Sequence, residues 1–163
     1  MSLGFLKSKK ADLSRLQAAV ESNPMDDTLG RAIDAATWDV LAEYLTPLQA
    51  DRGHILIAQG ALDRSIYFVE SGQLRVHRGH EKGQLQLAIL GPGAIVGEGS
   101  FFSTIERSAT VQAVKPCVLW ELTPSRFEDI SKKHPQAALT VAMALGAVLS
   151  TRMLDVARKI SIT

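Results

Sequence analysis

Apolar residues near the N-terminus recur every three or four positions in two segments. Residues 11–22 and 28–45 both show this period, which predicts an amphipathic helix for each segment. The first helix is expected to end at Asn23-Pro24 and the second at Pro47, because proline cannot continue a helix. The second segment contains three polar residues that could begin its helix: Asp34, Thr37 and Asp39.

From Gly53 to Leu122 the pattern changes to short apolar runs separated by turns, most of which contain glycine. The runs predict strands at 54–58, 65–70, 74–78, 85–90, 95–96, 109–114 and 117–122. In the run at 74–78 apolar and polar residues alternate, as expected for a strand with one face toward solvent. Many short strands at close spacing predict an antiparallel sandwich or barrel.

Two further helices are predicted after the strands. Thr123 is a suitable N-cap and Pro124 a suitable first residue for a helix over 124–134, and a longer helix follows over 135–160. Residues 137–149 of the longer helix are apolar on nearly every side, and such a helix must be buried on all sides. Because a small barrel covers only one side, the sequence predicts a homodimer through the helix at 135–160.

Composition and charge limit the classes of function. The 163 residues are enough for one domain with a short extension. The 18 basic and 17 acidic residues give a formal charge of +1, which supplies no basic surface for direct nucleic-acid binding. Cys117 is the only cysteine, so metal sites that need several thiolates are excluded and a reducing compartment is expected.

The chain is expected to be cytoplasmic. Its longest apolar run, 137–149, is shorter than the about 20 residues that span a bilayer, so no membrane span is predicted. Lys7, Lys9 and Lys10 are not followed by the apolar core of a secretory signal.

Residues 97–110 contain a segment that suits an anionic ligand. A glycine-rich turn opens a short hydrophobic helical turn before the chain enters a strand. At the start of a helix the first backbone N–H groups have no intrahelical partner and can hold an anion. The groups expected to be free here belong to Gly99, Ser100 and Phe101.

Three side chains of the same segment extend this interpretation. Arg107 carries a planar fork of donors that suits phosphate oxygens, and Ser108 adds a hydroxyl. Ionised Glu98 can only accept hydrogen bonds, so its natural target is a pair of hydroxyls such as a ribose edge. An anion site beside a hydroxyl acceptor predicts a sugar phosphate as the ligand.

The residues Gly97-Glu98 and Arg107-Ser108-Ala109-Thr110 resemble the phosphate-binding cassette of the cyclic nucleotide-binding domain. This family includes the bacterial catabolite activator protein, the regulatory subunit of protein kinase A and cyclic-nucleotide-gated channels. The nine-residue step from Glu98 to Arg107, set between strands, suits the family, and the resemblance extends from about residue 45 to residue 159.

The resemblance implies a mainly β fold with flanking helices. The expected architecture is an antiparallel β-roll, or jelly roll, of about eight strands with N-terminal helices and a long C-terminal helix. The corresponding divisions are an N-terminal helical segment at 1–46, the nucleotide-binding β-roll at 47–134 with its cassette at 97–110, and a C-terminal lid and dimerisation helix at 135–163.

The resemblance also implies roles for individual residues. Glu98 would accept from the ribose 2′-hydroxyl, Arg107 would pair with the exocyclic phosphate oxygens, and Ser108 would bond the phosphate or the purine edge. The cassette would be completed by Gly97, Gly99, Ser100 and Ala109. Apolar contacts to the purine would come from Leu87, Ala88 and Val96, and lid contacts from Ser150, Thr151, Arg152 and Met153.

The implied function is a regulatory sensor that binds cAMP, or else cGMP, without any cofactor and couples binding to movement of its C-terminal helix. The preference for cAMP rests on the bacterial character of the resemblance and on no single residue. The open alternative is the sensor and dimerisation domain of a transcription regulator of the catabolite activator type that responds to another small ligand or to none.

Two features depart from the family pattern. Gly99-Ser100 stands where the family usually has a larger apolar residue followed by Ala or Gly, which gives up a buried side chain and adds flexibility. Family transcription factors continue after the long helix into a helix-turn-helix, whereas this sequence ends at Thr163. A stand-alone sensor and a chain that lacks an effector domain are therefore both open.

The histidines and serines do not predict a catalytic or metal site. His77 and His80 flank Arg78-Gly79 at a strand end, whereas a cupin-type metal barrel would need a His-x-His pair with a glutamate and a distant histidine. No nucleophile elbow is present. The chain is predicted not to be an enzyme, and a cupin-like metalloenzyme is the third class to be tested, by bound metal.

Overall fold

Two four-stranded antiparallel sheets form the centre of the protein, in a computed structural model that describes residues 10–161. The first sheet has the spatial order β1 (Thr46–Ala50), β8 (Cys117–Leu122), β3 (Ile66–Ser71) and β6 (Ile95–Val96). The second has the order β2 (Ile55–Ile57), β7 (Thr110–Ala113), β4 (Leu74–His80) and β5 (Gly83–Leu90). The predicted jelly roll of about eight strands is confirmed; Lys7 and Lys9 lie outside the described residues.

Five helices accompany the sheets in the part of the chain between residues 10 and 161: α1 (Ser14–Ser22), α2 (Ala35–Tyr44), α3 (Glu98–Phe102), α4 (Pro124–Lys133) and α5 (Pro135–Ser161). Of the three possible starts of the second helix, Asp34 is the N-cap, and its side chain accepts a hydrogen bond from the Thr37 N–H at 2.8 Å. The helix predicted over 28–45 is therefore too long at its beginning. Thr123 caps α4 as predicted, accepting from the Arg126 N–H.

The sequence pattern does not predict strand β1, because the proline at position 47 indicates the end of a helix. The helix ends earlier, at Tyr44, and Pro47 lies inside the strand, opposite Trp120. Since β1 is at the edge of its sheet, a residue without an N–H is tolerated there.

The hairpin of β4 and β5 is longer than the predicted strands at 74–78 and 85–90. Its two strands pair as far as His80 and Gly83, which leaves a two-residue turn. A β-bulge interrupts the pairing, since Val76 is opposite Ala88 whereas His77 is opposite Gln86. Leu87 is therefore the extra residue of the bulge.

Strand β3 is buried on both faces and separates two hydrophobic clusters. Ile66 and Phe68 point toward the helices, whereas Tyr67 and Val69 point into the space between the sheets, as the alternation of a strand requires. Both tryptophans belong to the helix-side cluster, together with side chains from α1, α2, α4 and α5. The molecule thus has three layers, with the helices covering the first sheet.

Helix α5 buries one face against this helix-side cluster, mainly with the residues Ala137, Ala138, Val141, Ala144, Leu145 and Val148. The opposite face is open, and Leu139 and Met143 are 55% and 68% exposed. The prediction that this helix is buried on all sides is therefore not met within a single chain.

The length of α5 also changes the argument about membranes. Counted as 27 residues rather than as one apolar run, it is long and apolar enough to cross a bilayer, which no other helix of residues 10–161 is. A third of its most apolar stretch is buried inside the domain, and the core helix of a soluble protein passes the same test. Length alone therefore does not exclude a membrane span, contrary to the sequence argument.

Gly93 allows the turn after β5 to pass directly against α1. Its φ is +84°, and a Cβ at this position would lie 2.3 Å from the carbonyl oxygen of Ala19. We expect Gly93→Ala to lower the free energy of unfolding by about 1–3 kcal/mol or more, through backbone strain and displacement of α1. Chemical denaturation measures this change.

Gly91→Ala in the same turn is the matched control, because a Cβ at Gly91 would meet nothing within 4 Å. We expect its stability to stay within about 0.5 kcal/mol of the original. Equal stability of the two variants would contradict the close approach of this turn to α1.

Candidate functional site

A cavity of about 540 Å³ lies where the second sheet meets α3 and the C-terminal half of α5. Its volume falls within the range of about 300–1,000 Å³ that is common for small-molecule sites. The walls come from four parts of the chain: the segment 23–28 between α1 and α2, the strands of the second sheet, residues 91–109, and α5. These parts bring polar and apolar groups together around one space.

The start of α3 supplies unpaired backbone donors to this cavity. Gly97 is the N-cap with a φ of +94°, and a Cβ there would lie 2.6 Å from the Ser65 oxygen and 2.8 Å from Arg107 Nη1. The first intrahelical hydrogen bond runs from the Phe101 N–H to the Gly97 carbonyl. The N–H groups of Glu98, Gly99 and Ser100 precede it, whereas the Phe101 N–H, expected to be free, is paired.

Arg107 lies in the cavity wall with only 3% of its surface exposed. Its guanidinium donates to both carboxylate oxygens of Asp63, at 2.6 and 3.4 Å, and to the backbone oxygens of Ser65 at 2.6 Å and Gly97 at 2.9 Å. These bonds use four of its five N–H donors. A phosphate that is to bind it with two parallel bonds must therefore displace some of these acceptors, and Asp63, whose side chain is 47% exposed, can leave without any movement of the backbone.

Glu98 lines the cavity and is held by α5. Arg152 donates to Glu98 Oε1 from Nη1, to Asp27 Oδ2 from Nε at 2.8 Å, and to the Ile95 oxygen from Nη2 at 2.9 Å. Burial alone would lower the pKa of Arg152, but the two carboxylates outweigh it and raise the pKa above its usual value. The guanidinium therefore stays charged and joins α5 to the cassette.

Apolar side chains from the sheets form the floor of the cavity. They are chiefly Ile57, Val76, Ala88, Ala94, Val96 and Val111. Ala88 and Val96 thus line the cavity, and their contact with a purine stays a prediction. Leu87 does not line the cavity, because the β-bulge makes it the unpaired residue of β5, and it is 51% exposed.

The residues of α5 that line the cavity lie further along the helix than the lid residues predicted from the resemblance. Of the four named from the resemblance, Arg152 lines the cavity, whereas Ser150, Thr151 and Met153 do not. The helical period, continued from Arg152, brings three residues that sequence reasoning missed: Asp155, Val156 and Lys159. That period was the signal that could have identified them.

The other predicted ligand contacts meet in the same cavity. Its lining includes Gly97, Glu98, Gly99, Ser100, Arg107, Ser108, Ala109, Ala88, Val96 and Arg152. Acidic and basic side chains are balanced there, with Asp27, Glu98 and Asp155 against Arg107, Arg152 and Lys159. No cluster of three or more His, Cys, Asp or Glu side chains that could hold a metal ion occurs among residues 10–161. The arrangement suits an anion that carries hydroxyl groups and a flat apolar part.

Comparison with known proteins gives a consistent picture. The family model of the cyclic nucleotide-binding domain matches residues 47–134, more than half of the chain. The cyclic AMP receptor protein of Thermus thermophilus is 34% identical over 116 residues, which are 71% of this chain and 52% of that protein. Glutaminase 2 of Bradyrhizobium diazoefficiens is 34% identical over 110 residues, 68% of this chain but 17% of that enzyme.

The fold is also similar to a solved structure. The crystal structure of the Thermus thermophilus catabolite activator protein superposes with a TM-score of 0.73 at 29% sequence identity, covering 82% of this chain and 62% of that one. The chain thus spans about half of one curated relative and about a sixth of the other.

Proposed function

The chain belongs to the cyclic nucleotide-binding domain family, and on this basis we propose that it is a sensor that binds cAMP, with cGMP as the second candidate, and responds through α5. The observation that carries the proposal is the single cavity that gathers the cassette, the apolar sheet residues and Arg152. A donor-rich end, a hydroxyl acceptor and an apolar floor match the three parts of a cyclic nucleotide: its phosphate, its ribose and its base.

In the proposed complex the cyclic phosphate lies at the start of α3. The N–H groups of Gly99 and Ser100, the Ser108 hydroxyl and the Arg107 guanidinium donate to its oxygens. Glu98 accepts from the ribose 2′-hydroxyl, and the base packs against the apolar floor that includes Ala88 and Val96. The preference for cAMP follows the cyclic AMP receptor protein among the relatives and no residue of the cavity.

We propose that the response travels through Arg152. This residue stands on α5 and donates to Glu98, where the ribose would bind. A nucleotide whose ribose hydroxyl binds the other oxygen of Glu98 therefore favours the position of α5 in which Arg152 contacts the cassette. Such a response is a population shift, which requires that the two positions of α5 bind the nucleotide with different affinity.

We also propose a homodimer through the open face of α5. Exposed residues recur along this face at intervals of four and three, which is the period of a coiled-coil seam. The seam consists of Leu139, Met143, Gly146, Ser150, Met153 and Ala157. From Leu139 to Ala157 the seam is about 27 Å long, and its small members allow two helices to approach closely.

We propose that this chain does not catalyse a reaction, does not hold a metal ion and does not bind nucleic acid directly, and that it acts in the cytoplasm. This proposal is supported by the match to a regulatory module and by a formal charge of only +1.

Thermal unfolding of the purified chain with cAMP, with cGMP, with AMP and without ligand tests the function. We expect one cyclic nucleotide to raise the unfolding midpoint and AMP to leave it unchanged, because AMP lacks the cyclic phosphate. At one hundred times the dissociation constant the native state gains about 2.7 kcal/mol. An unchanged midpoint with both cyclic nucleotides would overturn the proposal, and stoichiometric bound metal would favour a cupin-like enzyme instead.

A further inference from the structure

The segment 23–28, between α1 and α2, forms a wall of the nucleotide cavity although it lies outside the matched family domain. It has no helix or strand, and it is tied down by local and long-range hydrogen bonds. Asn23 donates from Nδ2 to the Pro92 oxygen at 2.9 Å, and the Met25 N–H donates to Asn23 Oδ1. The cavity is therefore bounded by two segments that the family model does not include, this one and α5.

Asp27 connects the two segments through Arg152. Its carboxylate accepts from Arg152 Nε at 2.8 Å, while the same guanidinium donates from Nη1 to Glu98 and from Nη2 to the Ile95 oxygen. All three side chains are largely buried. Because a guanidinium is planar and rigid, a bond that fixes Nε also fixes the direction in which Nη1 points.

The bond from Arg152 in turn sets the orientation of the Glu98 carboxylate. Oε1 of Glu98 receives the Arg152 donor, and Oε2 receives no hydrogen bond from any of the described residues. Glu98 lines the cavity, so its second oxygen is available to a ligand hydroxyl. The position of this second oxygen depends on the bond from Arg152, and the orientation of the Arg152 guanidinium depends on its bond to Asp27.

We propose that Asp27 is a positioning residue for ribose recognition: through Arg152 it holds Glu98 in the orientation that accepts the nucleotide's 2′-hydroxyl. The inference rests on the proposed function and adds to it an N-terminal segment that controls the affinity of the site. It follows that ligand binding and the docking of segment 23–28 favour each other, since each stabilises the same placement of Arg152.

The test compares the affinities of cAMP and 2′-deoxy-cAMP for the full chain by calorimetry. We expect Asp27→Asn to weaken cAMP binding about fivefold to tenfold. The neutral amide removes the charge that holds the Arg152 guanidinium in place, and the hydrogen bond between Glu98 and the ribose hydroxyl is lost with that orientation. Binding of 2′-deoxy-cAMP, which has no hydroxyl for Glu98, should change less than about twofold. Asp26→Asn is the matched control, because Asp26 is the exposed neighbour and does not line the cavity.

Two further variants keep the test decisive if Asp27→Asn is poorly folded. Arg152→Lys retains the charge without the planar fork and should reduce the preference for cAMP over the deoxy compound in the same way. Glu98→Gln should reduce that preference by itself, and adding Asp27→Asn to it should reduce the preference no further.

Each alternative outcome has a distinct meaning. If Asp27→Asn weakens the binding of cAMP and of 2′-deoxy-cAMP equally, Asp27 supports the cavity wall without a role in ribose recognition, and the inference is overturned. An unchanged preference for cAMP over 2′-deoxy-cAMP would overturn it as well. An unmodified chain that binds cAMP and 2′-deoxy-cAMP equally would remove the ribose role of Glu98 and the inference with it. If the unmodified chain binds neither, the proposed function itself fails.

Discussion

Arg107→Ala is expected to weaken cyclic-nucleotide binding by about 1.5–3 kcal/mol or more, which is roughly tenfold to 150-fold in the dissociation constant. The reason is the loss of a charge-assisted donor fork at the phosphate end of the cavity. Arg107 is almost fully buried and is held in place by the backbone oxygens of Ser65 and Gly97, so it is already oriented before a ligand arrives. Calorimetry with the cyclic nucleotide identified by thermal unfolding measures the change.

The same variant removes a donor from three protein acceptors, so we expect a loss of stability of about 1–3 kcal/mol. Thermal unfolding without ligand must therefore accompany the binding measurement. Arg107→Lys, which keeps the charge but lacks the fork, should bind with intermediate affinity. Arg78→Ala is the control, since Arg78 is exposed on β4 and does not line the cavity. A folded Arg107→Ala protein with undiminished affinity would refute the phosphate role of Arg107.

Asp63→Asn separates the two partners of Arg107. The Asp63 carboxylate occupies two of the guanidinium donors that a phosphate would use, and it competes with the ligand for them. Removing its charge should destabilise the empty protein and increase nucleotide affinity by about threefold or more, because the phosphate then supplies the missing negative charge. A marked fall in affinity would mean that Asp63 orients Arg107 for the ligand.

Met143→Glu and Met153→Glu, introduced together, are expected to convert a dimer into a monomer. Both methionines are highly exposed in the single chain and lie on the proposed seam of α5. Burial of one such side chain in each of two partners contributes about 3 kcal/mol or more to the dimer, which is over a hundredfold in the dissociation constant. Carboxylates at these positions also face each other across the seam and repel.

Sedimentation or light scattering over a range of concentrations gives the mass of each variant. Leu62→Glu is the matched control, because Leu62 is 77% exposed on a loop and lies outside the seam. The proposed dimer seam would be overturned by an unmodified chain that is monomeric at tens of micromolar, or by a doubly substituted chain that remains a dimer. Sedimentation of the unmodified chain with lipid vesicles would instead assign the open face of α5 to a membrane.

The cassette could be predicted because its chemistry is contiguous. Gly97, Glu98, Arg107 and Ser108 lie within twelve residues, and their spacing is fixed by one turn and one short helix. The strands could be predicted for a similar reason, since their boundaries are marked by turn residues. Strand β1 could not be predicted in this way, because a proline such as Pro47 usually ends a helix. Only the sheet shows that this position lies on an edge strand, where proline is tolerated.

Asp63 and Asp27 could not be found from the sequence. Asp63 lies 44 residues from Arg107, and Asp27 lies 125 residues from Arg152. Neither aspartate belongs to a motif, and an exposed loop carboxylate would be an equally good interpretation of both. Only packing brings them to the two arginines. Which residues of α5 face the cavity could not be predicted for a different reason. A helix that is apolar on nearly every side can be rotated about its axis and still present apolar residues to the core.

The two tryptophans described among the helix-side residues provide the protein with its own optical signal. Trp38 and Trp120 are both in that cluster, Trp120 donates to Glu70 at 2.7 Å, and neither lines the cavity. Filling the cavity by itself should therefore leave their fluorescence unchanged. A shift in emission on addition of nucleotide would report that the helical layer has rearranged. Calorimetry then measures occupancy of the cavity, and fluorescence of the unlabelled chain measures transmission of the signal separately.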